Sequence, residues 1–185
     1  MKHLGTQTLE TSRLILRQFT LDDAPAMHAN WASDPEVTKF LTWPVHPNAD
    51  VSRMVLESWV KAYDDPKYYQ WAIELKEIGQ PIGSITAVKV NDRAELVEVG
   101  YCIGKAWWRQ GITSEAMQAV MDFFFDQVGA NRVEARHDPN NPGSGAVMRK
   151  CGMKYEGTHR QSDRNNQGIV DTAWYALLAE ERKKD

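Results

Sequence analysis

The sequence predicts a mixed α/β domain, on three observations. Short β-prone runs at 69–75, 82–90 and 95–103 follow one another across tight turns, the pattern of an antiparallel meander. A strand at 95–103, a helix over 111–128 and a strand at 132–137 make a β-α-β unit, whose two strands run parallel. Alternating and helical periods divide the whole chain into the order β, α, α, β, β, β, α, β, α, β, β. That order gives a mostly antiparallel mixed sheet of about seven strands flanked by about four helices.

Each element has its own signal. "RLILRQF" at 13–19 is short, apolar and β-prone, so it is a strand. In "TLDDAPAMHANW", Thr20 and Asp23 have the spacing of a capping box with Asp in place of Glu. Leu21, Ala24, Met27 or His28, and Trp31 then recur at helical spacing. Residues 34–48 hold three prolines and predict an irregular segment with one short helical turn. Val51, Met54, Val55, Ser58, Trp59 and Ala62 mark the apolar face of a second helix. From Tyr69 the period becomes two, with Trp71, Ile73 and Leu75 alternating against Gln70, Ala72 and Glu74. "KEIGQPIG" and "NDRAE" turn the chain into the next two strands. Met117, Val120, Met121, Phe124 and Val128 share one face of the helix over 111–128, and Gly129 stands at its C′ position. "RVEARH" is a strand, "DPNNPGS" a loop, and "GAVMRKCG" a short helix stopped by Gly152. The last two strands form a hairpin around "DRNNQG", whose Asn and Gly are turn formers.

The 185 residues suffice for one domain over 1–185 with a real core, and neither a repeat nor a linker divides them. A formal charge of -3 makes no electrostatic case for nucleic acid or an acidic membrane as partner. Cys102 and Cys151 sit in apolar patterns, which suits reduced thiols better than a disulfide framework. The first residues, "MKHLGTQTLETSR", hold no apolar signal region, and the apolar runs are too short to span a bilayer. The expectation is a soluble cytoplasmic protein. No metal-ligand spacing is visible among the five His and two Cys. Most of the seven Trp are expected in the core, with some lining a groove.

The segment "WWRQGITSEAM" at 107–117 is the first chemical signal. A helix begins there behind Gly111, so the backbone N–H groups of 110 to 114 face outward at a helix N-terminus, a ready anion site. Glycine lets the backbone approach a phosphate closely, and Arg109 adds a positive charge. A tight turn with a Thr113 or Ser114 cap would leave the same residues in place. The GxGxxG and GxxxxGK[ST] patterns are both absent, which counts against a dinucleotide or nucleoside triphosphate.

"EVGYCIGKAWWRQGITSEAM" resembles the acetyl-CoA site of the GNAT family, the GCN5-related N-acetyltransferases. In that family a strand runs into a Q/R-x-x-G-x-G/A loop whose amides hold the CoA pyrophosphate. Trp108 falls on the first position, Gly111 on the glycine and Thr113 on the last, where Thr113 is a departure. Trp in the first slot is common in the branch resembling the ribosomal-protein serine/alanine N-terminal acetyltransferases. "NPGSGAVMRKCGM" at 141–153 resembles a second family segment through Asn141, Ser144, Val147, Met148, Lys150, Gly152 and Met153. The tail, with "EG" and a later D-x-x-x-Y-x-L-L, is similar to that of the family, and the resemblance covers nearly the whole chain. It implies a GNAT fold in which parallel strands four and five splay at the cofactor site. It also implies acetyl-CoA as co-substrate, contacted by Tyr101, Cys102 and Ile103 on strand four, by Trp108, Arg109, Gln110, Gly111, Ile112, Thr113 and Ser114 in the loop and helix start, and by Asn141 and Ser144.

The family's usual chemistry is direct attack of an amine on the thioester, which needs a base for the amine and a partner for the leaving thiolate. Many members place a Tyr seven residues after the Asn, and Met148 stands there instead. The resemblance therefore assigns the thiolate partner to Ser144, a residue that would otherwise read as a helix cap. Glu98, a carboxylate between valines in a central strand, is a costly residue unless paired or functional, and is one candidate base. Asp163, where the ribosomal-protein branch has its carboxylate in a loop over the acceptor, is the other. The expected reaction is acetyl transfer to a primary amine, on a protein N-terminus such as that of a ribosomal protein. A small amine (polyamine, amino acid or drug) is the alternative acceptor, and a non-catalytic CoA-binding domain the alternative class. The 34–48 segment and the 156–168 loop are expected to shape the acceptor pocket, and a homodimer, common in the family, stays open.

Overall fold

The structure, a computed structural model, describes residues 1–182, so the expected domain over 1–185 ends in three residues, 183–185, that lie outside the described residues. The strands are β1 (Leu9–Glu10), β2 (Leu14–Arg17), β3 (Gln70–Leu75), β4 (Gln80–Asn91), β5 (Leu96–Ile103), β6 (Arg132–His137), β7 (Lys154–Asn165) and β8 (Gly168–Leu178). They form one sheet in the order β1-β2-β3-β4-β5-β6-β8-β7. Every neighbouring pair is antiparallel except β5 and β6, which run parallel as their β-α-β connection requires. The expected seven strands become eight through the two-residue β1, too short to show an alternation in sequence.

The helices are α1 (Ala24–Met27), α2 (Pro35–Thr38), α3 (Ala49–Ala62), α4 (Ile112–Phe123) and α5 (Pro142–Lys150). The expected first helix is three pieces: a 3-10 turn at Leu21–Asp23, then α1, then a wider π turn at His28–Ala32. Its start is fixed by charge. Asp23 accepts from Thr20 N–H at 2.8 Å and holds both Arg17 guanidinium ends at 2.8 Å. The apolar face of α3 is rotated from the expected one: Met54 is 68% exposed, while Ser52 and Leu56 are fully buried. Burial of Ser52 is possible because its hydroxyl shares a 2.8 Å hydrogen bond with His46 Nδ1.

Two apolar clusters lie on opposite faces of the sheet. One joins β3, β4 and β5 to α4 and α5; the other holds Phe19, Met27, Trp31, Val37 and Leu56 from the α1–α3 side. The alternation in β3 suggests one wet face, yet Gln70 and Ala72 are buried as well as Trp71 and Ile73, because helices cover both sides. Trp71 and Tyr69 meet Phe123 and Phe124 of α4 and its π-helical extension in edge-on contacts, with Tyr69–Phe124 centroids 5.0 Å apart. Met117, Val120, Met121, Phe124 and Val128 are all buried, as their spacing predicts. No helix among the described residues is long and apolar enough to cross a membrane.

One carboxylate ties the first strands to the start of α4. Glu115 Oε1 accepts from Thr11 Oγ1 at 2.6 Å, Ser12 Oγ at 3.1 Å and Arg13 N–H at 3.0 Å, and Oε2 accepts from Arg13 Nε at 2.7 Å. Arg13 Nη1 also donates to the Gln110 carbonyl at 3.0 Å. Burial alone would raise the Glu115 pKa, but the Thr11 and Arg13 hydrogen bonds bring it down to about 2. A depressed carboxylate stabilises the fold fully above its unfolded value, here 4.5, and less as pH falls toward its folded value. Melting temperature followed between about pH 5 and pH 2.5 will therefore fall more steeply for the wild type than for Glu115→Gln. Parallel slopes would exclude this carboxylate as a source of acid sensitivity.

Candidate active site

β5 and β6 pair only over Leu96–Arg132, Val97–Val133 and Glu98–Glu134. Beyond Glu98 the two strands keep separate partners. β5 stays on β4 as far as the Gly83–Ile103 pair, and β6 stays on β8 as far as His137–Ala173. A V-shaped gap opens between them. Gly104 N–H donates to the Ile82 carbonyl of β4 at 2.9 Å. Strand alternation turns the Cys102 backbone the same way and the Tyr101 and Ile103 backbones toward the gap. The Cys102 thiol lies 3.4 Å from Ser84 Oγ, and burial pushes its pKa up.

The loop after β5 is built to present amides. Trp108, placed by sequence at the head of the motif, donates its indole N–H to the Ile103 carbonyl at 2.9 Å and braces the loop against the strand end. Gln110 Nε2 donates to the Ala106 carbonyl at 2.9 Å. Arg109 has φ 60° and Gly111 φ 75°, both left-handed. That conformation costs a non-glycine residue such as Arg109 roughly 1–2 kcal/mol. Backbone strain of this kind gathers where amides are aimed. Gly111 is the N-cap of α4, so the first-turn N–H groups of Ile112, Thr113 and Ser114 have no capping side chain before them. A Cβ at Gly111 would stand 3.1 Å from Lys150 Nζ and 3.7 Å from an Arg13 guanidinium nitrogen. Two cations and a helix N-terminus therefore share one place. Sequence reasoning missed Arg13, which reads only as the first residue of a strand, and named Lys150 only as a position of the second family segment.

The cleft below the loop is a cavity of about 210 Å³. Glu98, Tyr101, Asn141, Ser144 and Asp163, five residues singled out by sequence, all line it. Arg136, which was not singled out, stands between the two carboxylates: its Nε is 3.4 Å from Glu98 Oε1 and its Nη2 3.2 Å from Asp163 Oδ2. Its guanidinium lies 5.3 Å from the centre of a Trp174 ring. Glu98 is 5% exposed; burial raises its pKa and the Arg136 charge opposes the rise. Asp163 is not in a loop. β7 extends to Asn165, and Asp163 pairs with Val170 just after a bulge between His159 and Asp163.

Ser144 is not a helix cap. The helix starts earlier, at Pro142 behind Asn141, and the Ser144 hydroxyl donates to Tyr101 Oη at 3.1 Å. Tyr101 Oη in turn donates to the Ser144 carbonyl at 2.9 Å, so the pair joins α5 to β5 across the gap. Burial pushes the Tyr101 hydroxyl pKa up, which keeps it a neutral donor. Asn141 N–H donates to the Asp138 carbonyl at 2.7 Å, while its side chain makes no capping bond. His137 packs against Gly145, where a Cβ would stand 2.6 Å from Nε2, and burial lowers its pKa. It is a neutral wall. Cys151 donates to the Ser114 carbonyl at 3.4 Å, and burial raises its pKa to about 11, a poor setting for a nucleophile. A larger hollow of about 630 Å³ lies between β1 and α4, away from these groups, and its Glu115 is already engaged. No group of three or more His, Cys, Asp or Glu among the described residues could hold a metal ion.

Comparison with known proteins agrees with this geometry. Residues 13–154 match the family described as an acetyltransferase (GNAT) domain. The uncharacterized N-acetyltransferase p20 of Bacillus licheniformis is 30% identical over 177 residues, which cover 95% of this chain and 98% of that protein. A GNAT-family acetyltransferase from Bacillus anthracis superposes with a TM-score of 0.82 at 26% identity, covering 95% of this chain and 100% of its own. RimL, described as a ribosomal alpha-N-protein acetyltransferase in complex with coenzyme A, shares the fold with a TM-score of 0.83 at 19% identity, over 95% of this chain and 100% of its own. The family match takes in β5, the glycine-led start of α4 and all of α5, and on that ground the chain belongs to the GNAT family of acetyltransferases and is an acyltransferase.

Proposed function

We propose that the protein moves the acetyl group of acetyl-CoA to a primary amine by direct attack in the β5–β6 cleft. The observation that carries this reading is the convergence of Glu98, Tyr101, Asn141, Ser144 and Asp163 on one cavity. The fit to an anionic co-substrate rests on the loop. Gly111 leaves room where a Cβ would meet Lys150, and the amides of Ile112, Thr113 and Ser114 head a helix of twelve residues. These groups, with Arg109, Gln110 and Arg13, would hold the pyrophosphate. The Tyr101 and Ile103 backbones and Asn141 would take the pantetheine arm, and Trp108 would keep the loop in place. Bound there, acetyl-CoA supplies an acetyl group already activated as a thioester.

The protein's own residues then handle protons. Glu98 accepts the amine proton in this reading, with Asp163 as the second candidate and Arg136 holding both carboxylates toward the cleft. The three side chains together carry one net negative charge, which favours entry of a protonated amine. Ser144 Oγ–H, which rests on Tyr101 Oη, turns to donate a hydrogen bond to the leaving thiolate, and the thiolate takes up the second proton that the attacking nitrogen sheds. A cavity of about 210 Å³ takes an amine headgroup rather than a folded surface. A protein N-terminus, as on a ribosomal protein, and a small amine both meet that limit.

The direct test is release of free CoA from acetyl-CoA with peptides bearing N-terminal Ser, Ala or Thr, polyamines, amino acids and aminoglycosides. A hit on one class establishes transfer and names the acceptor; acetyl-CoA binding without release by any of them would overturn the reading. Gly111→Val forces a branched residue into a left-handed, cation-lined position and should weaken acetyl-CoA binding at least about tenfold by calorimetry. Unchanged affinity would remove the loop from the site. A base acts only when deprotonated, so kcat/KM falls as pH drops through its pKa, and burial places that limb for Glu98 above 4.5. Glu98→Gln should lower kcat about 100-fold or more and abolish the acidic limb. If Asp163→Asn does so and Glu98→Gln does not, the base is Asp163.

A further inference from the structure

Two adjacent asparagines stand at the tip of the last hairpin, in "RNNQG", where turn chemistry alone would explain them. The structure sends them in opposite directions. Asn165 Nδ2 donates to Asp138 Oδ2 at 2.9 Å, which ties the tip to the loop between β6 and α5. Asn166 reaches the other way. Its Nδ2 donates to the carbonyls of Thr38 and Trp43, both at 2.8 Å, and its main-chain N–H donates to the Leu41 carbonyl at 3.1 Å. Every N–H of this residue thus ends on one irregular segment, separated from it by 123 to 128 positions along the chain.

A plain turn residue has no need of these bonds. The turn is served by Gln167 N–H donating to Asn165 Oδ1 at 2.7 Å. The Asn166 bonds instead reach three carbonyls between the end of α2 and Trp43, of which that of Thr38 also accepts from Leu41 N–H at 2.9 Å. Both joined segments wall the cavity, through Phe40, Leu41 and Thr42 on one side and Asp163 and Asn165 on the other. Asparagine is specific to the task. Asp has the same shape without the two donors, and Gln carries its amide one methylene too far.

We infer that Asn166 is a specificity-determining positioning residue, a latch that fixes the 38–43 segment against the hairpin and so sets the width of the acceptor pocket. The inference rests on the proposed function for the nature of the ligand, an amine acceptor, and on these three hydrogen bonds for the latch. Asn166 acts through the walls it joins.

The test is Asn166→Asp, with Asn166→Ala as a second variant at this exposed site, assayed with the best acceptor of the amine panel. The acceptor KM should rise about tenfold while the acetyl-CoA KM stays within about twofold, since lost hydrogen bonds of this kind are worth that order. Amide hydrogen exchange should quicken across 38–43 and 162–168 and stay unchanged in α4. Unchanged exchange in both variants overturns the latch. Faster exchange with an unchanged acceptor KM overturns its role in specificity. Failure of the wild-type protein to acetylate any amine overturns the proposed function, an outcome separate from the other two because the exchange measurement needs no acceptor.

Discussion

The site depends on the parting of β5 and β6 after three paired residues. Backbone N–H and C=O groups inside a protein need partners, and a strand edge opened within a sheet leaves a row of them exposed. β5 keeps its full ladder to β4 and β6 its full ladder to β8, so neither strand is frayed. The unpaired edge between them is a rigid groove of polar backbone. α5 and the Tyr101–Ser144 bonds close one end of it, and the strained loop before α4 overlooks the other. The first strands hold this arrangement in register, because Glu115 and Arg13 lock the β1–β2 turn to the start of α4.

Electrostatics follows from that geometry. The upper loop gathers positive groups, with Lys150 and Arg13 beside Gly111 at a helix N-terminus. The lower cleft gathers carboxylates, with Glu98 buried and Asp163 half-buried, and Arg136 set between them. One end suits phosphates and the other suits an amine. Arg136 answers the cost of placing Glu98 in a central strand: the carboxylate is paired, but at 3.4 Å and without the geometry of a tight bidentate bridge. That leaves Glu98 oxygen capacity facing the cavity.

Much of this was legible in residues that obey a period or carry a conformational demand. The face of α4 follows from Met117, Val120, Met121, Phe124 and Val128, and the uncapped, glycine-led helix start from Gly111. Of the five cavity residues, Tyr101, Asn141 and Ser144 were legible through the motifs they resemble, Glu98 as a carboxylate between valines in a central strand, and Asp163 through the likeness to the ribosomal-protein branch. Where the reading slipped, a long-range partner had overridden a local signal. α3 buries Ser52 because His46 bonds it, and exposes Met54 against its hydropathy. β3 hides Gln70 because helices cover both faces. Asp163 stands in a strand because β8 extends β7 almost to the tip.

By itself the sequence determined the mixed α/β class, the parallel β5–β6 pair, the glycine-led helix and the family. The first three depend on periodicity, chirality and backbone freedom, all properties of neighbours in the chain, and the family on the likeness of its motifs. Only the tertiary structure decided which backbone groups of β5 face the gap, and that Cys102 turns away. It alone set Arg136 between two carboxylates, brought Arg13 to the loop and joined Asn166 to the 38–43 segment. Those contacts link positions far apart in sequence. A side chain's partner at that range is set by sheet register and helix packing, which no local pattern encodes.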